Sequence, residues 1–136
     1  MIDEEVDRLY RLIDKGTNHV METYLKGGGN PNLRNRNGWT LLMVAAFKGR
    51  TEIARRLLHY GAEIDATNSV GETALALAVN KGRVRVLTLL LAHGSSTKFR
   101  PLGMPLMNYL NHGQNKSEKV RNLLREAIEG TSVDDH

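Results

Sequence analysis

Histidines are the side chains of this 136-residue chain with the greatest capacity for metal or acid–base chemistry. There are five, His19, His59, His93, His112 and His136, and the chain contains no cysteine. A zinc site needs three or four nitrogen, sulfur or carboxylate ligands at characteristic spacings. The five histidines do not show such spacings. We therefore predict no metal site.

Paired carboxylates are a second arrangement that supports catalysis, as general acid and general base. Glu63 and Asp65 are close in sequence, but such a pair needs a pocket that separates the two pKa values. We expect both carboxylates in a solvated turn instead. The chain also contains no nucleophile elbow, no zincin helix and no phosphate-loop motif. The sequence therefore predicts a protein that is not an enzyme and needs no cofactor.

A glycine run, Gly27–Gly29, is followed by Asn30 and Pro31 and suggests a phosphate-binding loop at first sight. The Lys-Ser/Thr pair that follows such a loop is absent, as is a strand before it. The run instead predicts the end of a helix, with Gly28 in the left-handed conformation.

A repeat of 33 residues organises these elements. The segment NGWTLLMVAAFKG at residues 37–49 corresponds to VGETALALAVNKG at residues 70–82. Nine pairs match at this offset without a gap: Gly38/Gly71, Thr40/Thr73, Leu42/Leu75, Ala45/Ala78, Gly49/Gly82, Ile53/Val86, Leu57/Leu90, Leu58/Leu91 and Gly61/Gly94. A period of this length predicts stacked units, each too small to bury its apolar face alone.

These residues resemble the ankyrin repeat. The positions that fit the family pattern in order are Gly38, Thr40, Leu42, Ala45, Ala46, Gly49, Ile53, Leu57, Leu58, Gly61 and Ala62. Leu41 and Ala74 stand where the family has proline. Met43 and Ala76 stand where it has histidine, which removes a hydrogen bond usual between neighbouring turns. The resemblance implies an all-α solenoid of stacked helix-turn-helix units with short projecting β-hairpin turns.

We expect about four repeats, at residues 4–34, 35–67, 68–98 and 101–129, of which the first and last are caps. They form a single predicted domain of residues 1–130, followed by a flexible tail of residues 131–136. Predicted helices include Asp3–Lys15, Ala74–Lys81, Val84–His93 and Ser117–Glu129, in which Ser117 is the N-cap. The segment 104–113 looks like a degraded opening of the fourth repeat.

Composition and charge limit the cellular locations and the kinds of partner that we expect. The absence of cysteine, of a secretory signal and of a membrane-spanning apolar run predicts a cytoplasmic protein. Net charge is +4, and residues 26–100 hold twelve of the 19 Lys and Arg but only four of the 15 Asp and Glu. A basic centre favours an acidic partner surface or nucleic acid. A solvated helix surface explains it equally well.

The resemblance implies that a partner protein binds to the concave side of the stack, formed by the hairpins and the first helix of each repeat. The candidate binding residues are Arg34, Arg36, Asn37, Trp39, Phe47, Lys48, Val70, Glu72, Asn80, Lys81, Asn111 and His112, with Asp14 and Lys15 at matching positions of the N-terminal cap. Trp39 and Phe47 stand out, since variable outward positions are usually polar. We interpret them as apolar anchors ringed by basic residues. Packing of Trp39 on its own hairpin or on Met43 is the alternative.

Several functions remain open from the sequence. The predicted one is a monomeric protein-interaction module that acts as a scaffold or adaptor. The alternative is a stoichiometric inhibitor or immunity-type protein that blocks a partner enzyme or toxin. A basic stripe on the second helices, Arg50, Arg55, Arg56, Arg83 and Arg85, makes nucleic-acid binding a third possibility. No aromatic residues are interleaved with that stripe for base stacking, and we expect a solvated surface there.

Overall fold

The computed structural model describes residues 2–98 and 118–134. Within these ranges the chain forms seven α-helices, α1 (Ile2–Lys15), α2 (Asn18–Lys26), α3 (Leu41–Lys48), α4 (Thr51–His59), α5 (Ala74–Lys81), α6 (Val84–Ala92) and α7 (Glu118–Asp134). The predicted all-α solenoid is confirmed. The expected β-hairpins are reduced to turns in the described part, where Arg34 and Thr40 form a single antiparallel bridge.

The helices pack in two layers. In the first-helix layer, α3 lies between α1 and α5; in the second-helix layer, α4 lies between α2 and α6. Helix α7 packs against α6 and extends the second layer. Each unit therefore buries its apolar side against its neighbours, as the repeat period predicts.

Helices α3 and α5 are almost completely buried. Residues 41–46 of α3 and 74–79 of α5 are all in the core. Both helices are apolar all round, which is typical of helices packed on every side. Only their last two residues remain accessible: Phe47 is half-buried, Lys48 is exposed, and Asn80 and Lys81 are half-buried. Helices α3 and α5 therefore meet solvent mainly at their carboxyl ends.

Side-chain caps fix where α3 begins. The Thr40 hydroxyl accepts a hydrogen bond from the Met43 amide at 3.1 Å, which satisfies one of the free donors at the helix start. The Met43 sulfur in turn accepts the Thr40 amide at 3.4 Å. Met43 thus provides a local acceptor at the position where the family has histidine. Thr73 caps α5 in the same way, accepting from Ala76 at 3.2 Å.

Asparagine side chains build the turns before these helices. The Asn35 carboxamide oxygen accepts the amides of Asn37 at 2.9 Å and Trp39 at 3.0 Å. Asn68, 33 residues later, accepts two amides of its own turn at 3.1 and 3.0 Å. This Asx-type bonding needs no strand partner, which accounts for turns where hairpins were expected. These hydrogen bonds fix the backbone amides of Trp39 and Glu72, the residues before the N-caps of α3 and α5.

Gly38 lies where two neighbouring turns approach each other. The Asn37 carbonyl accepts the Ser69 amide at 3.1 Å, so the two turns touch through their backbones. Gly38 has a φ of 77°, and a Cβ there would lie 3.2 Å from the Ser69 nitrogen. Gly71 has a similar φ of 82°, but a methyl group added there would meet none of the described residues within 4 Å. The positive φ at Gly38 agrees with the tight turn predicted from Asn37-Gly38.

Some boundaries differ from those predicted. Helix α5 has the predicted limits, α1 begins one residue earlier at Ile2, and α6 ends one residue earlier at Ala92. Gly27–Gly29 follows α2 as predicted, with Gly28 at a φ of 91°. Helix α7 continues to Asp134, past the predicted end at residue 129, although Gly130 is a weak helix former.

The predicted fourth-repeat opening at residues 104–113 and the Ser117 cap lie outside the described residues. The limits of the fourth repeat, the domain and the tail therefore stay predictions. None of the helices in the described ranges has both the length and the apolar character that crossing a lipid bilayer requires.

A polar bridge ties α2 to α4 in the second-helix layer. Arg56 Nη1 donates to Glu22 Oε2 at 2.5 Å, and the Tyr60 hydroxyl donates to Glu22 Oε1 at 3.4 Å. Lys26 adds a positive charge, with its Nζ 3.6 Å from Glu22 Oε1. The hydrogen bond from Arg56 is the main cause that lowers the pKa of the Glu22 carboxyl. The folded state therefore favours the ionised form of the Glu22 carboxyl over the protonated form.

We expect Gly38→Ala to destabilise the fold more than Gly71→Ala does. Both substitutions force alanine into a left-handed conformation, which costs about 1–2 kcal/mol. Among the described residues, the first substitution alone also drives a methyl group into a neighbouring turn, so we expect roughly 1 kcal/mol of further loss. Urea unfolding of the two variants measures the difference, and equal losses would show that the two turns do not constrain each other.

The Glu22 bridge predicts a specific pH dependence of stability. Because the folded-state pKa lies below the ordinary value of 4.5, the contribution of Glu22 is complete above about pH 4.5 and is lost as the pH falls further. We expect Glu22→Gln to be less stable than wild type at neutral pH, with a gap that narrows below pH 4.5. Urea midpoints across this range measure it. Glu126→Gln, at an exposed position of α7, controls for the loss of one negative charge.

Candidate functional site

Trp39 is held at the start of α3 by its backbone. The Tyr10 hydroxyl, from α1, donates a hydrogen bond to the Trp39 carbonyl. The Asn35 amide donates to the same oxygen at 3.0 Å, and the Asn35 side chain accepts the Trp39 amide. Burial raises the pKa of Tyr10 to about 12, so its hydroxyl keeps its proton at neutral pH. Trp39 is therefore anchored both to its own turn and to the preceding repeat.

The Trp39 side chain reaches along α3 to Phe47. The two ring centroids are 5.4 Å apart and the planes meet at 79°, an edge-to-face contact. Phe47 is the seventh residue of α3, about 9 Å along the axis from the first, so the two side chains together bridge most of the length of the helix. Both rings are half-buried and pack against the core. The structure thus shows that Trp39 packs on Phe47, and the role of the pair as an anchor for a partner stays a prediction.

Two lysines flank the Phe47 ring. The ammonium of Lys81 lies 4.8 Å from the ring centroid, and that of Lys48 lies 5.9 Å from it. Both distances fall within the range of cation–π attraction. Lys48 also forms an ion pair with Asp14, at 3.0 Å. We call Trp39, Phe47, Lys48 and Lys81 the aromatic–lysine cluster, which brings together four of the predicted binding residues from two repeats.

The remaining predicted residues lie apart from this cluster. Arg34 Nη1 donates to the carbonyls of Gly38 at 3.0 Å and Thr67 at 2.8 Å, so its guanidinium ties one turn to the next repeat. The Glu72 carboxylate accepts from Asn68 at 3.0 Å within its own turn. Arg34 and Glu72 therefore form hydrogen bonds that stabilise the turns, in addition to any role in binding a partner.

Three predicted residues lie at the exposed tips of the turns. Arg36 and Asn37 line a pocket of about 330 Å³ together with Val6, Asp7 and Asn35. Val70, at the position equivalent to Asn37, exposes 52% of its surface and is the large apolar side chain that stands out in the described part. Asn80 is half-buried at the end of α5. Asn111 and His112 lie outside the described residues.

Arg55, Arg83 and Arg85 of the basic stripe are exposed, as expected for a solvated surface, but two arginines of the stripe also form hydrogen bonds to the backbone of the preceding repeat. Arg50 Nε donates to the Ile13 carbonyl at 3.1 Å, and Arg83 Nε donates to the Phe47 carbonyl at 3.0 Å. Each guanidinium thus reaches back to the carboxyl end of the first helix in the preceding repeat, where a positive charge is favourable. We call Arg50 and Arg83 the arginine clamps.

The other arginines of the stripe differ in their surroundings. Arg55 pairs with Glu52 on α4, and Arg56 with Glu22 on α2. Arg85 is exposed and forms no ion pair with any residue described.

The signal for the clamps was present in the sequence, because Gly49-Arg50 and Gly82-Arg83 are 33 residues apart. Counting charges along a single chain does not show where a guanidinium bonds.

Metal-ligating side chains are dispersed in the part of the chain that the structure covers. No three His, Asp or Glu residues there are close enough to share a metal ion. The described surface around the turns and helix ends presents aromatic edges, ammonium groups and turn backbones.

The layered helices, the paired threonine caps and the turn glycines define a helical-repeat protein of solenoid type. A family model for ankyrin repeats, in three copies, matches residues 9–100. The match covers more than half of the chain, so the protein belongs to the ankyrin-repeat family. Ankyrin repeats are protein–protein interaction modules. The comparison with curated proteins finds no match to this chain.

The arginine clamps predict a difference between two neighbouring arginines at the start of the same helix. Arg83→Ala removes a charge-assisted hydrogen bond at a helix end and should lower the free energy of unfolding by about 1 kcal/mol. Arg85→Ala, two positions along the chain and without a described ion pair, should change it by less than about 0.5 kcal/mol. Thermal unfolding compares the two. A larger loss for Arg85→Ala would contradict the assignment of Arg83 as a clamp.

Proposed function

We propose that the protein binds a partner protein through the turns and helix ends of its first-helix layer, and that it acts as a scaffold or adaptor. The observation that carries this proposal is the aromatic–lysine cluster. It places the chain's single tryptophan against one of its two phenylalanines at an accessible helix end. Tryptophan and other large aromatic residues are enriched among the residues that dominate binding energy.

The shape of the layer supports the same location. Because α3 and α5 bury their first six residues, a partner can contact these two helices only through their ends and the turns before them. Those are the places where Phe47, Lys48, Lys81 and the exposed Val70 lie. Binding and not catalysis is the proposed activity, because the family to which the chain belongs consists of protein–protein interaction modules.

A stoichiometric inhibitor or immunity-type protein is the alternative use of the same surface. An inhibitor would bind one partner and lower its activity, whereas a scaffold would hold two partners at once. Nucleic-acid binding is disfavoured because four of the five arginines of the stripe are engaged within the fold. We further propose a monomer that works in the cytoplasm on a partner with an acidic surface, as its basic centre suggests.

The decisive experiment captures partners on immobilised wild type and on the Trp39→Ala/Phe47→Ala variant from native lysate. A retained protein is then purified and its affinity for each form is measured by calorimetry. We expect the variant to bind at least about thirtyfold more weakly, since truncation of even one central aromatic residue costs roughly 2 kcal/mol or more.

The matched control is Arg85→Ala/Thr88→Ala, which alters two exposed residues of α6 in the other layer. Circular dichroism checks that each variant keeps its helices. Equal affinity for wild type and the Trp39→Ala/Phe47→Ala variant, with reduced affinity for the control, would move the binding surface to the second-helix layer. A second binding assay with two purified partners present together separates the scaffold from the inhibitor.

A further inference from the structure

We propose that the aromatic–lysine cluster recognises an acidic, extended segment of the partner, in which an apolar side chain is flanked by carboxylates. This inference rests on the proposed function and names the chemistry of the partner. The cluster offers one apolar contact, the Trp39–Phe47 pair, with two ammonium groups beside Phe47. A complementary ligand presents the reverse arrangement, an apolar group between two anionic ones.

Lysines recur once per repeat along this layer. Lys15, Lys48 and Lys81 are the last residues of α1, α3 and α5, at intervals of 33 residues. Lysine at a helix carboxyl end also complements the helix dipole, but that role does not require the ammonium to face an aromatic ring. Neighbouring helices in a layer lie about 8–10 Å apart, so the lysine-bearing helix ends form a row with this spacing.

The spacing of the row matches an extended chain. An extended segment in the polyproline II conformation advances about 3.1 Å per residue with three residues per turn, so carboxylates three residues apart lie on the same side and are separated by roughly one repeat. The side chain between them then falls near the aromatic pair. This geometry selects a segment with acidic residues at every third position and apolar residues between them.

Lys81 is the principal anion contact in this arrangement. Its Nζ lies over the Phe47 ring and pairs with no carboxylate among the described residues. Its side chain is half-buried, which reduces the screening of its charge by water. Lys48 shares its charge with Asp14, so a ligand carboxylate must compete for it. We therefore expect Lys81 to contribute more to recognition than Lys48.

Aromatic geometry favours a peptide over a nucleic acid. Single-stranded nucleic acids bind by stacking successive bases on exposed aromatic faces. Trp39 and Phe47 meet edge to face, and both are half-buried against the core, so they do not present two parallel faces. Arg34, in the turn before Trp39, already donates hydrogen bonds to two backbone carbonyls of the fold instead of to a ligand.

The test uses synthetic peptides and the fluorescence of Trp39, the single tryptophan of the chain. The probe is the peptide Glu-Ser-Leu-Glu-Ser-Leu-Glu with blocked ends, and its control carries glutamine in place of each glutamate. We expect the acidic peptide to change Trp39 emission saturably, and Lys48→Gln/Lys81→Gln to weaken its binding by roughly tenfold. A variant with Lys81→Gln alone should account for most of this loss.

The matched charge control is Arg85→Gln/Arg125→Gln, which removes two positive charges at exposed positions of α6 and α7. It should bind the acidic peptide within about twofold of wild type if the effect is local. The proposal is overturned if the glutamine peptide binds as well as the acidic one, or if the control loses as much affinity as the lysine variant. Tighter binding of a short oligothymidylate than of the acidic peptide would also overturn it, in favour of nucleic acid.

The affinities of a captured partner for the two double variants distinguish failure of this inference from failure of the proposed function. If a captured partner loses affinity for Trp39→Ala/Phe47→Ala but keeps it for Lys48→Gln/Lys81→Gln, then the surface binds proteins without selecting acidic segments. If neither variant affects the captured partner, the proposed surface itself is wrong.

Discussion

Burial of the first helices is the constraint on which the rest of the structure depends. Helix α3 is apolar on every side, so it is stable only between α1 and α5 and above the second-helix layer. A helix enclosed in this way has no face left for recognition. The accessible groups of α3 and α5 are therefore those at or beyond their ends: the turns before Thr40 and Thr73, and the residues after position 46 and position 79. The location of the candidate site follows from the packing of the core.

The two kinds of basic residue have different uses in this fold. Arginines bond to the chain itself, as Arg50, Arg83 and Arg34 do with backbone carbonyls of neighbouring repeats. Lysines end the first helices, and Lys81 faces an aromatic ring. A planar guanidinium offers several donors in fixed directions, which suits carbonyls of a neighbouring unit, whereas an ammonium is a mobile point charge. The charge available to a partner is accordingly smaller than the composition of residues 26–100 suggests.

Sequence reasoning predicted the features that depend on local spacing. The limits of α5, the end of α2 at the glycine run and the turn at Gly38 all follow from residues within a few positions. Contacts between repeats were not accessible in this way. That the Trp39 side chain extends to Phe47 depends on how Tyr10 and Asn35 hold its backbone. The bonding of Arg83 depends on a carbonyl 36 residues away, and no periodic pattern of one-letter codes specifies it.

Phe47 belongs to two arrangements at once. Its ring is the centre of the aromatic–lysine cluster, and its carbonyl accepts the hydrogen bond from Arg83 of the next repeat. Lys81, over the same ring, comes from that next repeat as well. A ligand seated on Phe47 therefore spans the joint between two units instead of resting on one. In a stack held together by nearest-neighbour contacts, a ligand bound there would stabilise the interface between the two central repeats. The stability of that interface would then depend on whether the partner is bound.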